Sequence, residues 1–455
     1  MRIPPPIVDA KRGEMMSPIV SVRGRAFVGA MATTVLMFVL LSGCAALVRE
    51  GPAGGQEVVF FPSVASVLNS NEWSITIQGR IFEPPDNSPV RQKLIDILAL
   101  RLHVDSKDKL YRERAGYFVS DSIRNTQVTV RIGDRPVPLS PSNAAGYFTT
   151  DIALPKGEVE RVARDGVITF LSVPTGTNPR PFIGTARLVP EEGVIVVTDI
   201  DDTIKITKIR DRKEKEANTF LRPFDAVAGM PELYRAWQQA LGERIHFHAV
   251  SAGPWQFNEP LRHFFEKERF PPFTWDMRSI DIGGDIRVDL REAFPNLDRT
   301  EKFKLEKIRA LMVRFPKRSV VLVGDSGERD PEVYSKILSE SPERVDAVFI
   351  RDVTGEDQTA NRFKKLFPGS ALDKLCVFRT PSELPPLKPM PVDGFCRKVG
   401  FFEQNRKTGT INSMTNRIPN SSKTNFATEP DCSVLPAPRA QGVRPSMTCS
   451  AGNTL

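Results

Sequence analysis

At 455 residues the chain has room for two domains with tails, and each domain can bury a core of its own. Hydrophobic residues make up 40% and charged residues 26%, a balance that excludes a fibrous or wholly disordered chain. The formal charge of +8 is scattered among acids instead of gathered in a basic stripe. This argues against a dedicated nucleic-acid binder, while a basic surface suits phosphate-bearing substrates or anionic lipid.

Arg23 and Arg25 precede an apolar run over 26–45, AFVGAMATTVLMFVLLSGCA. Its length and basic flank fit a secretory signal, with no basic stop-transfer residues after it. The end of the run, LSGC at 41–44, is similar to the bacterial lipobox, in which the cysteine becomes lipid-modified and N-terminal after cleavage. That similarity implies a signal peptide over 1–43, lipidation at Cys44 and a tether over 44–57, where small residues and glycine predominate. An uncleaved membrane anchor is the competing reading. Residues 1–22 form a long lead-in, so Met15 and Met16 are alternative starts. Cys376, Cys396, Cys432 and Cys449 lack CxxC spacing, and no zinc site is expected. Export permits disulfides, and Cys376 with Cys396 is the expected pair.

From 58 to 190 the pattern is strand-like. The segments 73–82, 127–133, 146–154, 166–174 and 182–190 alternate or run apolar between Pro, Gly, Asn and Asp breakers. One helical segment, 90–104, interrupts them. The expectation is a β-rich, sandwich-like domain with an inserted helix and no catalytic constellation. From 191 to 390 strands and helices alternate. Strands are expected at 195–201, 245–253, 319–326 and 345–353. Helices fall at 231–241, 260–268, 300–315 and 330–340. Nearly continuous apolar strands between helices predict an α/β domain, a Rossmann-like parallel sheet covered on both faces. Beyond 391 periodicity is lost, and the tail over 391–455 reads as disordered.

In such sheets ligands sit at the carboxyl ends of the strands, and there the chain gathers its chemistry. The first strand ends on Asp199-Ile200-Asp201-Asp202-Thr203. A later one ends at Ser251 in HAVSAGPW, and Lys304 lies on the helix TEKFKLEKIRAL. A third ends on Gly324-Asp325-Ser326-Gly327, with Asp330 just after. Carboxylates give a cation hard oxygen ligands of the kind Mg²⁺ prefers. They also supply a nucleophile and, two positions on, a proton carrier, while a hydroxyl and an ammonium suit phosphate oxygens. A solvated acidic loop or a structural cation site is the bland reading of Asp199, Asp201 and Asp202 taken alone. Ser251 also sits where a helix cap would. His246 and His248 alternate on a strand and read as structural. Trp255 and Phe257 suit either the core or a path for acyl chains.

The order Asp-x-Asp-x-Thr, strand-end Ser, helix Lys and Gly-Asp-Ser-Gly-x-x-Asp resembles the four motifs of the haloacid dehalogenase superfamily. Over about 185–385, GVIVVTDIDDTIKIT, FPKRSVVLVGDSGERDPEVY and VFIRDV resemble the actin-patch phosphatidate phosphatase family. GRIFEPP and GTARLVPEEG in the β-rich segment resemble that family's accessory domain. The resemblance implies a Mg²⁺-dependent phosphatase that hydrolyses phosphatidate to diacylglycerol and phosphate through an aspartyl-phosphate. Asp199 would be the nucleophile and Asp201 the proton carrier. Asp199, the Asp201 backbone carbonyl and Asp325 would hold the metal with support from Asp330. Ser251 and Lys304 would bind the phosphoryl oxygens, with Lys302 the alternative lysine and Asp202 unassigned. Ser-Ala-Gly-Pro-Trp departs from the family's more usual Ser-Asn-Ser-Pro-Trp, removing polar groups near the phosphate at Ala252 and Gly253. Together with Cys44 this predicts a lipid-anchored protein of the bacterial envelope, facing the periplasm, on the outer membrane. A phosphatase of soluble phosphomonoesters and a non-catalytic envelope binding protein are the alternatives.

Overall fold

The computed structural model describes residues 48–85, 88–280 and 297–387. The leader, residues 44–47 of the tether with Cys44, Cys396 and the tail lie outside the described residues. Cys376 is buried and disulfide-bonded, and its partner also lies outside them. Among the described residues no helix is long and apolar enough to cross a membrane.

The β-rich segment contributes β1 (Glu57–Phe60), β2 (Ser63–Val67), β3 (Glu72–Glu83), β4 (Thr129–Ile132), β5 (Arg135–Pro138), β6 (Tyr147–Pro155), β7 (Val167–Ser172) and β8 (Ile183–Val189). Hydrogen bonds join them in the order β1-β3-β2-β8-β7-β4-β5, with β6 also on β3. All these pairs are antiparallel except β2 with β8. In β3 every second residue around Ile75 and Ile77 turns inward, as a half-buried strand requires. Gly79 is needed there because a Cβ would stand 2.5 Å from the Val59 carbonyl oxygen. Phe60, Ile75, Ile77, Val130, Phe148, Ile168 and Phe170 form the core of this segment. The predicted helix is α1 (Pro89–Leu102), followed by an unpredicted one, α2 (Lys109–Gly116), and a short α3 (Lys156–Val162).

The second half runs β9 (Gly193–Thr198), α4 (Arg212–Phe220), α5 (Met230–Leu241), β10 (Ile245–Pro254), α6 (Asn258–Lys267) and β11 (Phe273–Arg278). It continues with α7 (Leu297–Arg314), β12 (Arg318–Asp325), α8 (Asp330–Glu340), β13 (Val345–Arg351), α9 (Asn361–Leu366) and β14 (Leu375–Phe378). The six strands form one parallel sheet in the order β11-β10-β9-β12-β13-β14, so the α/β expectation holds. The chain builds outward from β9 to β11, then returns to lay β12 on the other side of β9. That reversal opens a crevice beyond the carboxyl ends of β9 and β12. Successive residues of β9 feed opposite layers: Ile195 and Val197 pack with Ile308 and Leu311 of α7, Val196 with Tyr234 and Trp237 of α5.

The two segments share a core. Phe61, Tyr147 and the inward faces of α1 and α2 join the same apolar cluster as α5 and α6, and the Phe61 and Trp255 rings stack with centroids 3.8 Å apart. Trp255 is thereby a core residue. At the junction Arg318 is fully buried. It donates to the carbonyls of Pro190, Glu192, Val194 and Arg244 at 2.5–3.0 Å. Gly193 has φ 129° there, and a Cβ would fall 2.1 Å from the Arg244 carbonyl oxygen.

Candidate active site

β9 ends at Thr198, so the next peptide leaves the sheet at its carboxyl edge. The Asp199 N–H still reaches the Val323 carbonyl of β12 at 2.8 Å. This pins the Asp199 side chain, 1% exposed, beneath the crevice. One carboxylate oxygen accepts from Lys304 Nζ at 2.8 Å and the other from Thr203 Oγ1 at 3.0 Å. Lys304 comes from the inward face of α7, one turn before Ile308, whereas Lys302 is exposed on the same helix. The ammonium is 1% exposed and also meets Glu328 at 3.1 Å and Asp330 at 2.5 Å. Of the two candidate lysines, only Lys304 enters the cluster.

Asp325 closes β12. Its Oδ1 accepts from the N–H groups of Gly327 and Glu328 at 2.6 and 3.2 Å, which turns the Gly-Asp-Ser-Gly loop back over the strand end. Its Oδ2 is buried with no hydrogen-bond partner among the described residues. An orphaned carboxylate oxygen in a dry site is costly unless a cation meets it. Asp199, Asp325 and Glu328 place one oxygen each within 4.8 Å of one another, an all-oxygen donor set that fits a hard divalent cation. Asp330 stands outside that trio. Its oxygens are engaged by Lys304 and by the Asp325 N–H at 3.1 Å, so it positions the lysine and the loop. Glu328, one of the unspecified positions of the fourth motif, joins Asp199 and Asp325 in that trio, while Asp330 supports them from behind. Only proximity in space identifies Glu328.

Asp201 lies at the rim. Its Oδ1 accepts from Lys205 Nζ at 2.8 Å and from Thr207 Oγ1 at 2.6 Å. Asp202 turns away into a left-handed conformation, φ 57°. Its carboxylate gathers three N–H groups, those of Thr207, Lys208 and Ile209, at 2.6–2.8 Å. The residue left unassigned by sequence is thus the anchor of the 202–209 loop that presents Lys205 and Thr207. Ser251, 1% exposed, follows a register shift in the β10–β11 ladder. Its Oγ accepts from the Gly253 N–H at 3.0 Å, and no helix uses it as a cap. A cavity of about 260 Å³ joins Asp201, Lys205, Thr207, Ser251, Gly253, Gly327 and Glu328 to an apolar wall of Phe224, Phe257, Leu261 and Met277. His246 and His248 hydrogen-bond Thr274, and His248 also bonds Asp276; both are structural and away from the cavity.

The acids outnumber the cations, and their proton affinities show it. Burial pushes Asp199 up to about 7 against the pull of Lys304, with Glu328 and Asp201 adding to the rise. Burial and the charges of Asp330, Glu328 and Asp199 hold Asp325 well above the usual carboxylate range. Glu328 is raised by burial, and Asp330 to about 6 for the same reason. Asp201 goes the other way: burial alone would raise it, but the charge and hydrogen bond of Lys205 bring it down. Asp199 and Asp201, two positions apart, therefore have opposite tendencies.

Residues 194–352 match the family model described as "Phosphatidate phosphatase APP1, catalytic domain". That stretch holds every one of these side chains. Over that domain the chain is similar to this family. It is 28% identical over 230 residues to an uncharacterized protein of Schizosaccharomyces pombe, covering 47% of this chain and 34% of that protein. It is 28% identical over 253 residues to phosphatidate phosphatase APP1 of Saccharomyces cerevisiae, covering 54% and 41%. The chain thus spans well under half the length of these two curated relatives. A solved chain from a carbohydrate esterase overlaps 69% of this chain and 92% of its own, at 11% identity and TM-score 0.18, too loose a likeness to bear on fold or function.

Proposed function

We propose that the protein is a Mg²⁺-dependent phosphatidate phosphatase with a catalytic domain of the haloacid dehalogenase type, carrying a sandwich-like accessory domain before it. The observation that carries this reading is the convergence of Asp199, Lys304, Asp325 and Glu328 under a cavity rimmed by Asp201 and Ser251, inside the stretch that matches the family. Asp199, Asp325, Glu328 and the Asp201 backbone carbonyl would hold the metal. When bound, Mg²⁺ supplies positive charge that offsets these acids and polarises the phosphoryl group.

In the first half-reaction an Asp199 oxygen attacks phosphorus and the bond from phosphorus to the glycerol oxygen breaks. Asp201 donates its proton to that leaving oxygen, so diacylglycerol departs neutral. The phosphate dianion arriving beside Asp201 raises its proton affinity, which loads it for this step. In the second half-reaction ionised Asp201 takes a proton from water as the water oxygen attacks phosphorus. The bond to Asp199 breaks and inorganic phosphate leaves. Lys304 and Ser251 steady the phosphoryl oxygens. Phe224, Phe257, Leu261 and Met277 give the leaving group an apolar wall, which favours a lipid over a small polar ester.

The leader and its lipobox-like end support a periplasm-facing protein held through Cys44 on the outer membrane. Anchoring concentrates an enzyme on the surface that carries its substrate. The test supplies the full chain with Mg²⁺ and measures phosphate released from phosphatidate in mixed micelles and from p-nitrophenyl phosphate. Release from phosphatidate should fall at least about 10³-fold in Asp199→Asn and vanish on chelation. No release from either substrate, or release that survives Asp199→Asn, overturns the catalytic reading. Activity on the soluble ester alone removes the lipid.

A further inference from the structure

We infer that the outward face of α1 docks on an anionic lipid surface, setting the catalytic cleft against the membrane. The helix is apolar on both sides. Ile95, Leu98, Ala99 and Leu102 fill the core. On the opposite side Val90 is 63% exposed and Leu100 75% exposed, with half-buried Ile97 between them. Spacings of seven and three residues put these three side chains in one stripe; exposed Lys93 falls within it, and exposed Asp96 and Arg101 flank it. Exposed apolar side chains on a helix whose other face is already buried mark an interaction surface, and interleaved basic side chains suit a lipid interface.

Charge selects the occupant. Over 88–117 the helical hairpin carries seven Lys and Arg against four Asp and Glu. Three of those acids are engaged at home: Asp96 pairs with Arg112, Asp105 closes a turn onto the Lys107 N–H, and Asp108 caps α2. Arg91 is likewise paired, with Asp121, and exposed Lys93, Arg101, Lys107 and Lys109 stand against exposed Asp96, Asp105 and Glu113, so the hairpin keeps a small positive excess for an anionic headgroup layer.

Position ties the face to the cleft. Tyr111 of α2 donates to the Ile95 carbonyl of α1 at 2.6 Å, and Tyr111 and Phe118 pack on Phe220 of α4. α4 in turn supplies Lys215 and Thr219 to the cavity. Two helix spacings, about 20 Å, separate the docked stripe from the cleft wall. The inference gives the lipid-phosphate reading a surface to work from, and its test does not depend on catalysis.

The full chain is prepared as wild type, Leu100→Trp and Val313→Trp, and mixed with vesicles of brominated phosphatidylcholine, with and without phosphatidylglycerol. Val313, 80% exposed on α7, is the control for an isolated apolar side chain elsewhere. With the native tryptophans subtracted, quenching at position 100 should exceed that at 313 by at least about twofold, and should weaken without phosphatidylglycerol or in high salt. Equal quenching at both positions overturns the docking face. So does a Trp at 100 already shielded from acrylamide in dilute buffer, because the chain itself or a second copy then covers the stripe. Val90→Glu with Leu100→Glu should lower hydrolysis of phosphatidate in vesicles about tenfold and leave p-nitrophenyl phosphate hydrolysis unchanged; equal loss on both makes the face structural and overturns the inference. If the wild type hydrolyses neither substrate, the phosphatase reading alone falls and the quenching still decides the docking.

Discussion

The two sheets of this protein bury different things. The sheet of β1–β8 encloses apolar side chains, with Phe60, Phe148 and Phe170 meeting edge to face. The β9–β14 sheet gathers four buried acids and a buried lysine at one edge: Asp199, Asp202, Asp325, Asp330 and Lys304. The difference follows from strand direction. Parallel strands end on the same side, so the residues that terminate them converge. Antiparallel strands send their ends to opposite sides and converge on nothing. The first sheet is therefore a device for packing, and the second spends stability on a place for charge.

Substitutions that separate the two cases should rank as follows. Lys304→Met leaves Asp199, Glu328 and Asp330 without their cation and should cost about 3–5 kcal/mol of unfolding free energy in urea, together with all phosphate release. A loss below about 1 kcal/mol would mean that the acids are already neutral in the fold, and the contrast between the sheets would shrink. Phe170→Ala, in the packing sheet, should cost about 3–4 kcal/mol through its cavity while kcat per folded molecule stays unchanged. A matching fall in kcat would show that the first sheet shapes the site. Asp202→Ala frees three backbone N–H groups and should cost about 2–3 kcal/mol; kcat should fall as the loop bearing Lys205 and Thr207 loosens, and Asp202→Asn should restore part of both.

The smallest effect is one of pH. Burial alone would raise Asp276, but the His248 hydrogen bond and the Lys307 charge bring its carboxyl down to about 2 from 3.8. A depressed folded value means stability that is present above 3.8 and lost as pH falls toward about 2, roughly 2 kcal/mol in all. Asp276→Asn should flatten the acid limb of the stability curve across that window. An unchanged limb would mean that His248 and Lys307 do not hold Asp276 down in solution.

Much of the second half was legible because buried parallel strands are written as unbroken apolar runs, and the residue ending each run is visible. Asp199, Ser251 and Asp325 were found this way. Lys304 was preferred to Lys302 on the resemblance alone; the physical reason is that helical spacing puts it over Ile308 and Leu311 on the inward side. Glu328 was not legible. Its approach to Asp199 depends on two N–H groups turning back onto Asp325, a matter of loop geometry with no periodic signature. Asp202 escaped for a similar reason, since its three bonds need a positive φ that an alternating strand pattern would not suggest. The β-rich strands 73–82 and 166–174 were located closely, but not the sharing of a core with α5 and α6. That sharing rests on contacts such as Phe61 with Trp255, which local pattern cannot encode.

Arg318 has a mechanical consequence. Its guanidinium holds carbonyls from the connecting stretch, from β9 and from the turn before β10, so tension applied at residue 190 is divided among three stretches of backbone at once. A lysine there has three donors in a tetrahedral spread and no planar fork to reach four carbonyls. The joint between the packing sheet and the charged sheet should accordingly behave as a stiff hinge under load, with Arg318 as its pin.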